Sequence, residues 1–276
     1  MGRDFKIHSI CLVKNEGDVI EYCLREALKW SDNIFVYDNM STDDTWEKVS
    51  FLSKEDKRII PWKQSDKAFQ ESLRAEVFNF FKGIASEGDW WCRLDADEFY
   101  VQSPKSFLAK VPSYAHVVWA IFLQYYLTSV DLQEIDFSES IENILFKMRY
   151  YRSDNSEPRF FRHRGRLIWE SNAAWPRHLG LVNRERIFLK HYKYRSPHQI
   201  QVKIDTRKIA IERGFLGWDY IKKYSNWEDV ICDASKLEYD LKSGKFVIDT
   251  KLFPNHIESL PVRIFKLFMH SAGFLP

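Results

Sequence analysis

The first hundred residues alternate between two periodicities, and no other feature constrains the fold as tightly. Apolar runs at 8–15 (HSICLVKN), 33–38 (NIFVYD), 58–62 (RIIPW) and 90–94 (WWCRL) read as short buried strands. Between them, 17–30 places Ile20, Cys23, Leu24, Ala27 and Leu28 on one helical face. Residues 41–52 open with Ser41 and Asp44 in capping-box spacing, and 67–85 form a long amphipathic stretch. A β-α-β-α-β-α-β order requires right-handed crossovers and a mostly parallel central sheet flanked by helices, an α/β fold. Ligands of such sheets bind beyond the carboxyl ends of the strands. Asp38 and Asp95, each at a strand end, are therefore expected to face one crevice although they lie 57 positions apart.

After about residue 115 the pattern changes. A strand is expected at 116–127, and ILFKMRYY, PRFFRH, RLIWES and IFLKHYKYR read as short aromatic and basic strands; from 196 to 214 the chain reads as helix. Without a repeat or linker to divide it, the chain is expected to form one domain. Its parts would be a nucleotide-type half (1–115), a mixed half (116–214) and a helical C-terminal extension (215–276). With 45% hydrophobic and 16% aromatic residues it can bury a core, and a net charge of +2 gives no argument for nucleic acid as a partner. Four cysteines without a C-x-x-C pair fit reduced thiols and a cytoplasmic setting. The charged N-terminus is unlike a signal peptide, and no apolar run reaches the roughly 20 residues of a membrane span.

The stretch WWCRLDADEFYV crowds Asp95, Asp97 and Glu98 together, which is costly unless something neutralises them. It is either a solvated acidic loop or a strand-end site where Asp95 and Asp97 converge on a divalent cation, Mn²⁺ or Mg²⁺. The stretch YDNMSTDDT reads as a strand, a turn and a capped helix, and its Asp38 is suited to accept hydrogen bonds from a ligand. Neither G-x-G-x-x-G nor a P-loop occurs, which argues against dinucleotide and P-loop sites.

Taken in order, ICLVKNEGDVIEYCLREAL, IFVYDNMSTDDT and WCRLDADEF resemble the nucleotide-binding half of family 2-type glycosyltransferases with the GT-A (Rossmann-like) fold. More narrowly, they are similar to a bacterial branch marked by KNE and DADEF. The resemblance is closest over residues 7–100. It implies that Leu12, Val13, Lys14, Asn15 and Glu16 line a nucleotide pocket, that Asp38 contacts base or ribose, and that Arg74 faces the nucleotide-sugar. Asp95 would lean toward the ribose or sugar beside the metal, and Asp97 would ligate it. His191, in HYKYRS, would complete the metal sphere, with Lys193 and Arg195 holding the diphosphate.

The resemblance further implies a UDP- or GDP-sugar donor, a glycan or lipid-linked glycan acceptor, and inverting transfer, which needs a carboxylate base opposite the leaving group. The Glu-Asp pair of better-known members is not evident. Asp131, Glu134, Glu157 and Glu170 are the candidates, with Glu170 favoured; His178 is a candidate to face the acceptor. The tail 260–276 mixes Arg263 and Lys266 with Ile264, Phe265, Leu267 and Phe268. It reads either as an ordinary docked helix, the favoured reading, or as a peripheral contact with the inner face of the cell membrane. The expected function is a metal-dependent transferase of bacterial surface polysaccharide synthesis. The rivals are a sugar nucleotidyltransferase, disfavoured because VKNEGD stands where a Gly-rich basic loop belongs, and a binding protein without catalysis.

Overall fold

The computed structural model describes residues 4–212, 214, 219–253 and 255–276. The first residues of the charged N-terminus, Arg213 of the expected helix and residues 215–218 of the expected extension lie outside them. The first half runs β1 (Ile7–Val13), α1 (Ile20–Ala27), β2 (Asn33–Asp38), α2 (Thr45–Glu55), β3 (Ile59–Gln64), α3 (Leu73–Phe81) and β4 (Trp90–Leu94). The second runs β5 (Glu98–Tyr100), α4 (Pro104–Leu108), β6 (Val117–Tyr125), α5 (Asp131–Glu134), α6 (Ile141–Lys147), β7 (Tyr150–Arg162), β8 (Ile187–His191), α7 (Pro197–Glu212), β9 (Glu238–Tyr239) and α8 (Leu260–Ser271).

Strands β1 to β4 pair in parallel in the order β3-β2-β1-β4. The sheet continues β7-β6-β8-β5, with β7 antiparallel to β4 and β6, β8 parallel to β6, and β5 antiparallel to β8. It is the α/β sheet expected, parallel first and mixed afterwards. β1 shows why its run is apolar throughout. Ile7, Cys11 and Val13 enter the core on one face, and Ile10 and Leu12 join Phe35, Phe78 and Trp91 on the other.

Covalent geometry forces the sheet to curl. Only residues 95–97 separate β4 from β5, and they reach at most ~15 Å. In a flat sheet the four strand spacings from β4 to β5 would need ~19 Å. The D-x-D loop therefore ties the β5 end of the sheet back to β4 in its middle, so that the second half curls round, and β5 brings His191 of β8 opposite Glu98.

Some sequence expectations differ locally. ILFKMRYY splits into α6 and the start of β7, and RLIWES lies outside every strand. Ser41 does not cap α2, whose N-cap position is Asp44; its hydroxyl and amide turn to Asp38 instead. α3 starts at Leu73 because the Asn39 amide holds the Ser65 and Lys67 carbonyls at 2.9 and 2.7 Å, which fixes that segment as a loop.

Asp240 pins the segment after β9 to the sheet. Its buried carboxylate accepts hydrogen bonds from the Tyr125 hydroxyl, from Lys190 Nζ at 2.8 Å and from the Lys242 amide at 2.7 Å. Burial opposes ionisation, but these donors outweigh it and hold the carboxyl at about 2. Because the folded value lies below the unfolded one, the stability it contributes is complete above about pH 4 and is lost as pH falls through about 2. Asp240→Ala should cost about 3 kcal/mol in urea unfolding at pH 7, since it strands the buried Tyr125 hydroxyl and the half-buried Lys190 ammonium. The wild-type margin over this variant should shrink between pH 4 and 2; a margin flat across that window would show that the carboxylate is not held as described.

Candidate active site

At the carboxyl edge of the parallel strands lies a cleft of about 410 Å³, walled by β1, β4, β6, β7, β8 and α7. Its charges sort into two clusters around the D-x-D loop. Asp95 meets three guanidiniums, two of them, Arg74 and Arg159, buried. Arg74 of α3 donates to Oδ1, while Arg159 Nη2 of β7 and Arg93 Nη2 of β4 stand 3.5 and 3.6 Å from Oδ2. Burial would raise the Asp95 carboxyl, but the arginines outweigh it and hold it at about 2. Arg159 also grips Glu98 with Nε and Nη2 at 2.9 and 2.6 Å and reaches Glu157 with Nη1 at 3.2 Å. The Nε atoms of Arg74 and Arg93 are buried with no partner among the described residues, so this cluster retains donor capacity.

Asp97, two residues on, faces another set. Lys203 Nζ of α7 donates to Oδ2 at 3.0 Å, Arg195 Nη1 lies 3.7 Å from the same oxygen, and His191 Nε2 lies 3.5 Å from Oδ1. The imidazole is oriented from behind. Gln124 Nε2 donates to Asp154 at 3.4 Å, which turns its carbonyl oxygen toward His191 Nδ1 at 3.2 Å. In the tautomer that donates from Nδ1 to this carbonyl, Nε2 is the ring nitrogen that faces Asp97.

Among the described residues no group of three or more His, Cys, Asp or Glu side chains is arranged to hold a metal. The Asp97–His191 pair nevertheless fits one. Its carboxylate oxygen and imidazole nitrogen lie 3.5 Å apart at the cleft, close enough to share one cation, and that pairing of ligands suits Mn²⁺. The remaining ligands would come from outside the protein. Asp95 is turned to arginines, not to this pair.

Arg195 is the keystone under Asp97. Wholly buried, it donates from Nε and Nη2 to Asp18 at 2.9 and 2.8 Å and from Nη2 to Glu16 at 2.6 Å. Three carboxylates drive its guanidinium further up from its ordinary value even though burial opposes the charge. Lys193 differs: burial first, then Arg207 and Lys203, push its ammonium down to about 7, beside the rings of Tyr194 and Tyr220.

The 14–17 and 39–45 loops are laced together above the β1 and β2 ends. The amides of Asn15, Glu16 and Gly17 donate in turn to Ser41 Oγ, Thr45 Oγ1 and Asp43 Oδ2 at 2.8, 3.0 and 2.9 Å, and the Thr42 amide donates to Asn15 Oδ1 at 2.8 Å. Asn15 sits at φ 52°, a left-handed conformation that asparagine tolerates. A Cβ at Gly17 would stand 2.1 Å from Asp44 Oδ1 and 2.9 Å from Asp43 Oδ2, so a larger residue there would have to push both carboxylates aside.

Of the sequence candidates, the fold brings Lys14, Asn15, Glu16, Arg74, Asp95, Asp97, His191, Lys193 and Leu12 to the cleft wall. Val13 and Asp38 stand behind it, both buried, with Asp38 bound to Ser41 and to Gln64 Nε2 at 2.8 Å. Arg195 also lies behind, engaged by carboxylates rather than open to a diphosphate. Asp131 accepts from the Thr128 amide and hydroxyl at 2.8 and 2.7 Å, and Glu170 pairs with Arg177 at 2.8 Å. Neither lines the cleft, and nor does His178; Glu157, the less favoured candidate, does. Arg93, Arg159, Gln124 and Lys203 were not singled out from sequence. A clue existed for the last: Lys203, Thr206 and Arg207 share a helical face directly after HYKYRS.

The charged, cation-rich cleft lies at the carboxyl edge of the parallel strands, where α/β enzymes place their active sites. Residues 10–169 match the Glycosyl transferase family 2 profile, and the chain belongs to that family of glycosyltransferases. No curated protein matches it. Similar solved structures include the mannosyltransferase PcManGT from Pyrobaculum calidifontis in complex with GDP-Man and Mn²⁺ (12% identity, TM-score 0.40, 79% of this chain and 67% of that one). Others are S. aureus TarS 1–349 (12%, 0.34, 79% and 68%) and GalNAc-T7 with UDP, GalNAc and Mn²⁺ (13%, 0.38, 80% and 49%).

Arg195→Met removes the cation shared by Glu16, Asp18 and Asp97. It should cost about 3–5 kcal/mol in denaturant unfolding, because buried carboxylates lose their partner. Arg195→Lys should recover only part of this, since an ammonium cannot make the fork. Full recovery by lysine would reduce the keystone to a simple point charge.

Proposed function

We propose that this protein transfers a sugar from a nucleotide-sugar donor of the UDP or GDP class to a hydroxyl of a glycan or lipid-linked glycan, with inversion. The observation that carries the reading is the Asp97–His191 pair in a cleft that Lys193, Lys203 and Arg207 also line. Such a cleft matches a diphosphate, with cations for its oxygens and one donor pair for a divalent ion. That ion, Mn²⁺ or Mg²⁺ held by Asp97 and His191, would supply neutralisation of the charge that develops on the leaving diphosphate. The laced 14–17 and 39–45 loops form the nucleoside side of the cleft, shaped from behind by Asp38. Asp95, fixed by three arginines, presents the sugar side.

Glu157 is the general base of this reading. It is the second-half carboxylate candidate that reaches the cleft, with its side chain 41% exposed at the mouth. Burial raises its carboxyl, but Arg159, the Asn155 amide and Arg93 outweigh this and keep it below its ordinary value, so it is ionised at neutral pH. The acceptor hydroxyl gives its proton to Glu157 as its oxygen bonds to the anomeric carbon. The bond from that carbon to the phosphate oxygen breaks, and its electron pair leaves with the nucleoside diphosphate. A single domain of 1–276, a cytoplasmic location and a place in bacterial surface polysaccharide synthesis complete the reading, the last on sequence resemblance alone.

Thermal unfolding against UDP, GDP, CMP and dTDP sugars, with and without Mn²⁺, tests the donor site. One nucleotide class should raise the melting temperature in a Mn²⁺-dependent way, and Asp97→Ala should abolish the rise. Gln124→Leu, which frees the His191 ring, should weaken Mn²⁺ binding about 10–100-fold by titration calorimetry. Glu157→Gln should keep the donor shift yet lose about 10²-fold or more in transfer rate. A shift indifferent to metal and to Asp97 would sink the reading. A donor shift without transfer to any acceptor would favour the binding-protein rival.

A further inference from the structure

Helix α8 is amphipathic with its faces reversed. Arg263, Lys266 and His270 recur at helical spacing on one side, and that side turns toward the body of the protein. Arg263 Nη1 donates to the Val182 carbonyl at 3.1 Å, Lys266 Nζ donates to Glu258 at 2.6 Å, and His270 Nδ1 lies 3.2 Å from Arg164. The opposite side carries Leu260, Ile264, Phe265 and Phe268, all between 59% and 67% exposed. Phe274, just beyond the helix, is equally bare at 67%. No residue of α8 is buried. A helix that only completes the fold puts these faces the other way round, and a contiguous exposed patch of large apolar side chains marks a surface that something else covers.

Length and charge say what covers it. Twelve residues of helix measure about 18 Å, too short for the roughly 30 Å hydrocarbon core, and among the described residues no helix is long and apolar enough to cross a membrane. Residues 260–276 contain no acidic side chain. Arg166, itself exposed, edges the patch, its Nη2 on the Gly273 and Leu275 carbonyls at 2.8 and 2.9 Å. A second copy seated on the same patch would bring two copies of Arg166 and of the partly exposed Lys266 together, whereas an anionic lipid surface meets the apolar centre and these edge cations alike.

We propose that α8 docks the protein on an anionic phospholipid surface, lying in its plane with Phe265 and Phe268 in the acyl boundary. The idea deepens the acceptor reading above and rests on it for the purpose of such docking, but the docking itself is measured without donor or acceptor.

The full chain is sedimented with vesicles of phosphatidylcholine alone, and of phosphatidylcholine mixed with phosphatidylglycerol. It should bind the mixed vesicles, less so as salt rises. Phe265→Ser with Phe268→Ser should lower the partition coefficient about tenfold or more without changing the melting temperature. No binding to either vesicle, or equal binding by the double variant, overturns the proposal. Equal binding to both vesicle types overturns the anionic requirement. A dimer in gel filtration that the double variant dissolves gives the patch to a second copy instead. The donor-induced melting shift, run in parallel, lets the transferase reading fail or stand independently.

Discussion

Everything in the cleft depends on how Asp95, Asp97 and Glu98 are neutralised. Three carboxylates within four residues cannot be left to a low-dielectric interior. The fold answers with two sets of cations: Asp95 meets Arg74, Arg93 and Arg159, the last shared with Glu98, while Asp97 meets Lys203 and Arg195. Those cations come from α3, β4, β7, α7 and the segment after β8, so the loop is correctly charged only when both halves of the sheet are in place. Fold and site are thus one electrostatic problem. The wrap of the sheet, forced by a three-residue connection, is what lets distant elements reach the same loop.

The nucleotide-type half was legible because its signals are local. Periods of 2 and 3.6 mark strands and helices, and parallel pairing then puts Asp38 and Asp95 at one edge without further information. The second half was less legible for a physical reason. Arg159 lies 61 residues from Glu98 and Lys203 lies 106 from Asp97, and such pairings are set by the curl rather than by any local pattern. RLIWES looked like a strand by composition, yet its Trp169 is buried against Phe78 and Phe161 as a packing element with no ladder to join. Glu170 followed that misplaced strand, and its carboxylate pairs with Arg177 outside the cleft. Glu157 was weighed in the sequence but had nothing there to lift it above its neighbours.

The tail shows the complementary case. Its alternation of basic and large apolar residues was visible, but an amphipathic helix reads the same whichever face it turns inward. Only the contacts of Arg263 and Lys266 with Val182 and Glu258 distinguish a helix that seals the core from one that offers its apolar face outward. Periodicity gives the existence of a face and not its direction.

The lacing between Asn15–Gly17 and Ser41–Thr45 has a consequence for selectivity. Each amide from Asn15 to Gly17 already has a side-chain acceptor in the second loop. This wall is braced by its own hydrogen bonds, so a ligand that fits meets little ordering cost on arrival. The same rigidity removes the option of remoulding around a misfit, whose polar edges would be desolvated against groups that cannot turn to meet them. Discrimination in such a mould comes from refusal as much as from attraction, and loosening the lacing would widen the range of ligands accepted before it weakened the hold on the right one.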